Sequence, residues 1–515
     1  MILNKDKLKE WRIIMAIFDN FDIEKYYLEL NEKYGSMGAS CVIVRDGKIA
    51  NELTYGYSSR EKETKANIDT VYRIASVSKL VVATATMTLV EKGMIDLDED
   101  ISKYLGFEVR NPRYPDKIID LKMIMTQTSS ITDGYEEGVN SNYDSGYNKI
   151  ICEDEITPLY EFLNPNGKRW VSETFSEYEP GTHYEYANLG CGIQACIIEK
   201  VTGIKFTKYV RDNVLLPLGL DASFDVRDIV NPDVATLYVN RGGKLFITRT
   251  KEDFVERYIK DRGLGNNYVG PAGGLFISAK HLAKLMMMFM NGGELDGVRI
   301  LKKETMDRML EITWIGVGDG DYTAKGLQFK CMDFETNDIS PRRLYGHFGD
   351  AYGVKSFLLF NPSQKLGFVY IINGGLFHYQ VGKPCDLHEE FIDKLCDEYW
   401  NYDLNHHFEF VVGEKTGKLD GRIINLHYVK EVTNKATKKV ILSPMTMIDC
   451  FTIPTLINKT KVINEVKECL KDLSVYDFVQ NDKGLYFYDY KFEELDNGGL
   501  KFIVDYKPKK ATPRL

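Results

Sequence analysis

The sequence predicts an α+β fold: an antiparallel sheet flanked by helices, an all-helical lobe beside it, and a small C-terminal α+β accessory domain. Three observations carry this prediction. Two hairpin patterns lie far apart in the chain, Ala39 to Val44 with Ile49 to Tyr57, and Lys355 to Phe360 with Leu366 to Ile372. Between them the apolar pattern is mostly helical, and beyond about residue 400 it changes to short alternating runs. A length of 515 residues is too long for one ordinary core. We therefore place a first domain at 1–400 and an accessory domain of unknown role at 401–515.

Taken in order, the short apolar run Ile13 to Phe18 reads as a helix packed on the first domain. Ala39 to Val44 is an apolar strand, Arg45-Asp46-Gly47-Lys48 supplies a hairpin turn, and Ile49 to Tyr57 returns. From Leu80 the residues Val81, Ala83, Ala85, Met87, Leu89 and Val90 continue a helix that Gly93 stops, apolar enough to be buried on nearly all sides. Leu189 to Val201, ended by Gly203, and Ala279 to Met290, ended by Gly292-Gly293, are two more. Asn361-Pro362-Ser363-Gln364 turns the second hairpin. Strands at both ends of a helical insertion imply a sheet closed by chain-distant strands. The cleft between that sheet and the helical lobe is where chemistry is expected.

Glu389 to Trp400 reads as an amphipathic helix closing this unit, and Asn401 to His407 as a polar link. The strands expected beyond it are Phe408 to Val412, Lys439 to Ser443, Gly484 to Tyr490 and Leu500 to Tyr506, with one helix at Val462 to Leu473. No catalytic motif falls in this region, and the basic tail Lys507 to Arg514 reads as solvated.

Apolar content of 44% and charged content of 27% are those of a soluble globular protein. A net charge of -9 with no basic half argues against nucleic acid or an anionic membrane as partner, and favours a small-molecule or short peptide substrate. No segment approaches the roughly eighteen apolar residues of a membrane span, and no cleavage pattern follows Phe18, so a cytoplasmic location is expected. The nine cysteines are odd in number and lack CxxC spacing, which suits buried reduced thiols. The eight histidines are dispersed, and His406-His407 lacks the one-face spacing of zinc sites; neither a metal nor a cofactor is indicated. Nothing fixes the oligomeric state.

The chemistry concentrates at Ser76-Val77-Ser78-Lys79, a hydroxyl and an amine one helical turn apart where the first buried helix begins. A second copy, Ser59-Arg60-Glu61-Lys62, lies in a charged, turn-rich stretch with no apolar run behind it and reads as surface loop. A lysine base must lose its charge, and action near pH 7 needs a shift of roughly 3 units, about 4 kcal/mol. Tyr186-Ala187-Asn188, just before the helix from Leu189, offers a partner: a tyrosine to relay the serine proton and an amide to fix Lys79 and a substrate carbonyl. Among 32 tyrosines, Tyr186 taken alone reads as a packed aromatic. Gly346-His347-Phe348-Gly349 precedes the strand Lys355 to Phe360, and its glycines allow a close backbone approach to an oxyanion or extended substrate; a tight turn is the alternative.

Ser-x-x-Lys, Tyr-x-Asn and a strand motif ending in glycine, in this order, resemble the serine beta-lactamase and penicillin-binding protein superfamily, most closely its class C beta-lactamase-like serine hydrolases. That group includes D-peptidases, D-aminopeptidases and family VIII esterases. Gly93 to Asp98, Thr126 to Ile131, Pro180-Gly181, Pro217 to Leu220 and Pro271 to Leu275 add to the resemblance, which covers about residues 20 to 400. It implies a beta-lactamase/DD-peptidase-like fold, Ser76 as the acylated nucleophile, Lys79 as its base partner, Tyr186 as general base and proton shuttle, and Asn188 as the lysine-orienting amide. The oxyanion hole would use the backbone amides of Ser76 and Asp350.

The sequence departs from the family where penicillin-recognising members carry Lys-Thr-Gly: His347, Phe348 and Gly349 stand there. An imidazole and a phenyl ring offer little to a carboxylate, so weak or no beta-lactamase activity is expected. Gln127 and Ser130 replace the histidine and glycine usual in the Thr126 segment, an alteration expected to affect a supporting turn. The sequence thus predicts a serine hydrolase acting on an ester or amide bond, of a D-amino-acid peptide or small ester. The alternatives are a penicillin-binding-protein-like ligand-binding protein with little turnover, or a structural partner of other proteins.

Overall fold

The computed structural model describes residues 21–135, 146–152, 156–258, 261–311, 313–318, 321–334, 342–377, 385–400, 406–412, 422–425, 449–452, 479–481, 484–494 and 500–509. Its main feature is a nine-stranded antiparallel sheet. The strands are β1 (Gly38–Arg45), β2 (Lys48–Ser59), β3 (Thr64–Lys65), β4 (Trp314–Gly318), β5 (Asp321–Lys325), β6 (Lys330–Phe334), β7 (Arg342–Ala351), β8 (Val354–Asn361) and β9 (Leu366–Ile372). Their order across the sheet is β4-β5-β6-β7-β8-β9-β1-β2-β3. The chain-distant closure expected from the two hairpins is present: β1 pairs with β9, Ala39 opposite Ile372 and Val42 opposite Val369.

The three central strands are buried along almost their whole length because both their faces are covered, so their apolar residues read as runs and not as alternation. Their side chains still divide by parity. Ala39, Cys41, Ile43, Phe357 and Leu359 enter one core, under helices α1 (Ile23–Lys33) and α5 (Asp386–Tyr399). Val42, Val44, Leu358 and Phe360 enter the other, shared with the helical lobe. That lobe contains α2 (Ser78–Glu91) and α3 (Leu189–Thr202), which are buried along almost their whole length, while α4 (Ala279–Met290) packs on the sheet. Gly93 and Gly203 have φ of +68° and +70°, the left-handed conformation that terminates these helices with no steric cost.

Several expectations change. Between Gly316 and Lys330, where the sequence pattern marks no strand, the sheet continues as β4, β5 and the start of β6, with Gly316 opposite Thr323. The sequence Gly-Asp-Gly-Asp, whose first residue ends β4 and whose last begins β5, carries no strand pattern and conceals the hairpin. Helix α1 was not foreseen, because Asp22 and Glu24 look like the end of an apolar run; Asp22 in fact caps the helix by accepting from Lys25 N. His406 and His407 belong to a strand, His406–Val412, paired with Leu500–Lys509, and not to a link. The strands Gly484–Glu494 and Leu500–Lys509 include the two expected there. The helices expected at Ile13 to Phe18 and Val462 to Leu473, the strand Lys439 to Ser443 and most of the basic tail lie outside the described residues. Among the described residues no helix is long and apolar enough to cross a membrane.

Asn373, fully buried just after β9, ties the sheet to the lobe: its Nδ2 donates to the carbonyls of Tyr57, Ser58 and Thr236 at 3.0, 3.1 and 2.9 Å. Asn373→Ala removes the buried amide shared by these carbonyls, of which Ser58 O keeps the Thr236 N donor at 2.9 Å, so a loss of about 2 kcal/mol is expected. Calorimetry should show a Tm several degrees lower; an unchanged Tm would remove Asn373 from this role.

Candidate active site

Ser76 is presented by a short strained segment between sheet and lobe. Val71–Arg73 pairs with Phe276–Ser278, and Ile74 N donates to Leu275 O at 3.0 Å. Ala75 then has a φ of +47°, unfavourable for a residue with a Cβ, and begins the single 3₁₀ turn that carries Ser76 into α2. Ser78 Oγ holds this turn by donating to Ala75 O at 2.6 Å and accepting from Leu275 N at 3.0 Å.

Lys79 is one turn further on and fully buried. Its Nζ donates to Ser76 Oγ at 2.9 Å, to Asn188 Oδ1 at 2.9 Å and to Ala272 O at 2.8 Å, so each ammonium hydrogen has an acceptor. Tyr186 OH donates to Ser76 Oγ at 2.9 Å, and Lys79 Nζ lies 4.9 Å from the centre of the Tyr186 ring. Burial lowers the Lys79 pKa from 10.5 to about 8; the neighbouring Cys191 and Asp133 oppose that shift, and Arg73 adds to it. The folded state therefore holds this proton less tightly than the unfolded chain, and the group's contribution to stability rises with pH between about 8 and 10.5.

Strand β7 forms the opposite wall. Its alternation sends His347 and Phe348 to different faces. His347 is buried, its Nδ1 lies 2.5 Å from Phe348 O, and its ring centre is 6.3 Å from that of Tyr186. Burial, with Lys325 and Lys79 nearby, pushes its pKa well below the usual histidine value, so the ring is neutral. Phe348 packs on Phe357 beside the core under α1 and α5, away from Ser76. Gly349 makes the closest approach: a Cβ there would lie 2.4 Å from both Ile74 O and Ser356 Oγ and 3.2 Å from Ser76 N. Ser356 Oγ donates to that same Ile74 carbonyl at 2.7 Å. Asp350, the next residue, faces Lys355 across the β7–β8 ladder, and its Oδ2 accepts from the buried Lys355 Nζ at 2.7 Å.

The structure thus brings together Ser76, Lys79, Tyr186, Asn188, His347 and Gly349, seats Asp350 beside them in the strand, and turns Phe348 away. Asn188 Nδ2, the donor end of the amide expected to meet a substrate carbonyl, gives one of its two hydrogens to Asp133 Oδ2 at 2.8 Å. The second Ser-x-x-Lys has no such company: Ser59 ends β2 and Arg60 and Glu61 pair with each other in the turn. Among the described residues no cluster of His, Cys, Asp and Glu is placed to hold a metal ion.

Two neighbours escaped the sequence reading, and a third proves more specific than a change in a supporting turn. Asp133 holds Asn188; a lone charge just after the Thr126 to Ile131 phrase was the available signal. Lys325 is fully buried, donates from Nζ to Gln328 O at 2.9 Å, and has its pKa lowered to about 7 by burial and then by Lys330. Gln127, at a φ of +61°, accepts from Glu185 N through its carbonyl and from Ala187 N through Oε1, both at 2.8 Å, and so clamps the residues on either side of Tyr186.

The family model described as Beta-lactamase matches residues 23–380. The chain belongs to the beta-lactamase family. It is 25% identical over 370 residues to protein flp of Staphylococcus aureus (strain MRSA252), an alignment that takes in 72% of this chain and only 63% of that protein. Among solved structures, the octameric penicillin-binding protein homologue from Pyrococcus abyssi has a similar fold, with a TM-score of 0.54, 19% identity, and coverage of 94% of this chain and 100% of that one. A D-stereospecific amidohydrolase from Streptomyces sp. gives a TM-score of 0.52 and 20% identity over 72% of this chain and 97% of that one. The beta-lactamase/DD-peptidase-like α+β architecture expected from the motifs is therefore the one observed. Likeness to the Pyrococcus structure also reaches into the C-terminal region that the family model leaves out.

Gly349→Ala tests the close approach of β7. The added methyl has backbone carbonyl and hydroxyl oxygen at 2.4 Å, so the strand must move away from Ser76. A shift of that size is expected to cost about 100-fold in the rate of Ser76 modification. The variant should keep a near-native far-ultraviolet circular dichroism spectrum, and wild-type reactivity would refute the constraint.

Proposed function

We propose that this chain is a serine hydrolase that forms an acyl-enzyme on Ser76 and hydrolyses an ester or amide bond in a small molecule or short peptide. The observation that carries the reading is the hydrogen bonding at Ser76 Oγ, which receives both the buried Lys79 Nζ and Tyr186 OH at 2.9 Å. When Lys79 is neutral it retains two hydrogens, enough for Asn188 Oδ1 and Ala272 O, and its lone pair turns to the Ser76 hydroxyl. With a pKa of about 8, roughly one tenth of the enzyme is in this form at pH 7. Oγ then attacks the carbonyl carbon, its proton passes to Lys79, and Tyr186 is placed to deliver a proton to the leaving group. The backbone amides of Ser76 and Asp350 are the proposed oxyanion donors. Water attacking the acyl-enzyme with the same residues in reversed roles completes hydrolysis.

The neutral His347 supports a substrate class. A penicillin or a peptide with a free terminal carboxylate presents an anion, and an imidazole held neutral by burial gives it no opposite charge. Esters and amides uncharged on that side are the better fit, D-amino-acid amides among them, in line with the name of the Streptomyces amidohydrolase. A cytoplasmic setting belongs to the same proposal, supported by the buried free thiols Cys41, Cys191, Cys196 and Cys385.

A fluorophosphonate probe tests the catalytic reading: mass spectrometry should find one adduct, on Ser76, absent from Ser76→Ala. No adduct on the wild type, or an equal adduct on the variant, sinks it. Hydrolysis of chromogenic esters and D-amino-acid amides should far exceed that of nitrocefin, and rapid nitrocefin turnover would overturn the substrate class.

The pH dependence follows from Lys79. Below its folded pKa the amine is protonated and cannot act as base, so modification of Ser76 should accelerate as pH rises through about 8 and then level off. Lys79→Arg, which stays cationic, should remove that limb and react slowly at every pH; a limb that persists in it would assign the base elsewhere.

A further inference from the structure

Asp133 is a buried carboxylate that the proposed reaction does not use, and it lies directly behind the Lys79–Asn188 bond. Its Oδ2 accepts from Asn188 Nδ2 at 2.8 Å and its Oδ1 from Leu189 N at 2.9 Å, the first backbone amide of α3. Tyr135 OH lies 3.4 Å from the same Oδ2. The residue is itself fixed, since its carbonyl accepts from Tyr147 N at 2.8 Å. Burial raises the Asp133 pKa, while Leu189 N, Asn188 and the Lys79 charge counteract that rise.

An asparagine amide has a donor end and an acceptor end, and rotation by half a turn exchanges them with almost no change of shape. For Asn188 the two orientations are chemically opposite. With Oδ1 toward Lys79, the ammonium gains its third acceptor; with Nδ2 there, two donors would face each other in a dry site. What fixes the choice is the group on the far side of the amide. An ionised carboxylate only accepts, so Asp133 admits the NH₂ end and rejects the oxygen. We propose that Asp133 is a positioning residue that sets the amide orientation of Asn188 and thereby aims Lys79 at Ser76. The proposal rests on the serine hydrolase reading for its consequence, and on hydrogen bonds alone for the orientation.

The geometry also explains why one carboxylate suffices. By holding Leu189 N as well as the Asn188 side chain, Asp133 fixes the start of α3 and the amide projecting from it as one unit. Gln127 holds Glu185 N and Ala187 N on the other side of Tyr186. Between these two anchors Tyr186 is left to bond with Ser76.

The test exchanges the two groups. In Asp133→Asn the introduced amide can still accept from Leu189 N through its oxygen, but its NH₂ then opposes that of Asn188 and drives the Asn188 amide to flip toward Lys79. Fluorophosphonate labelling of Ser76 is expected to slow by about 100-fold. In the double variant Asp133→Asn, Asn188→Asp every donor again meets an acceptor: the new amide donates to the new carboxylate, whose second oxygen receives Lys79. Most of the lost labelling rate should return, a recovery that loss of stability could not produce. Wild-type labelling in Asp133→Asn, or a double variant as slow as the single one at equal Tm, overturns the proposal. A second readout needs neither folding of the variants nor activity. In wild-type protein carrying ¹⁵N-asparagine, the Asn188 side-chain amide should show a strongly downfield, slowly exchanging proton; rapid exchange there refutes the bond to Asp133. Absent labelling of the wild type would instead refute the hydrolase reading, while the amide resonance would still judge the orientation.

Discussion

The whole arrangement depends on one nitrogen. Lys79 Nζ is fully buried, and its three hydrogens go to Ser76 Oγ, Asn188 Oδ1 and Ala272 O. Each acceptor comes from a different part of the chain: the turn before α2, the residue before α3, and the segment leading to Phe276–Ser278. A charge this dry survives only where its bonds are complete, so the lobe must hold these three segments together within hydrogen-bonding tolerance. The near-total burial of α2 and α3 serves that end. Neither helix has a solvent face along which it could slide.

The second constraint is the contact between sheet and lobe. Gly349 lets β7 come so close to the Ser76 turn that no side chain fits between them, and Ser356, on the neighbouring strand, bonds the Ile74 carbonyl. The turn is thus gripped from the sheet through Ile74 and from the lobe through Ser78, which is how Ala75 is kept at a φ of +47°. Strain of this kind costs on the order of 1–3 kcal/mol and persists only where the surroundings over-determine it. Here the surroundings are those two hydrogen-bonded grips.

Much of this was legible in the sequence, for a physical reason. Fully buried helices and strands have to be apolar, and their ends need glycine, so α2, α3, α4, β1, β8 and β9 announced themselves. Ser76, Lys79, Tyr186 and Asn188 were legible because their spacing puts each at the start of a buried helix. What escaped was of another kind. β4 and β5 lie at the sheet's edge, and their polar, glycine-rich residues carry no strong alternation. Asp133, Lys325 and the clamping role of Gln127 depend on single hydrogen bonds, most of them to residues distant in sequence, and spacing holds no trace of such bonds. Phe348 shows the converse limit: its neighbours in the motif face Ser76, and strand parity alone turns it to the opposite core.

The electrostatic setting explains how one lysine could serve both as a structural cation and as a base. Burial by itself disfavours the ammonium; Cys191 and Asp133 favour it, and Arg73 opposes it, leaving a pKa of about 8 and not one far below 7. A lysine shifted much further would rest neutral and no longer donate to Ser76 Oγ, whereas an unshifted one would stay protonated near pH 7 and could not take the Ser76 proton. On the proposed reading, attack on a carbonyl places a developing negative charge beside Ser76, and that charge raises the proton affinity of Lys79 during the step in which it must take the proton. Asp133 acts before that moment. By holding the Asn188 oxygen toward Lys79 in both protonation states, it keeps two of the amine's bonds unchanged while the third reverses direction, so that proton transfer requires no other group to move.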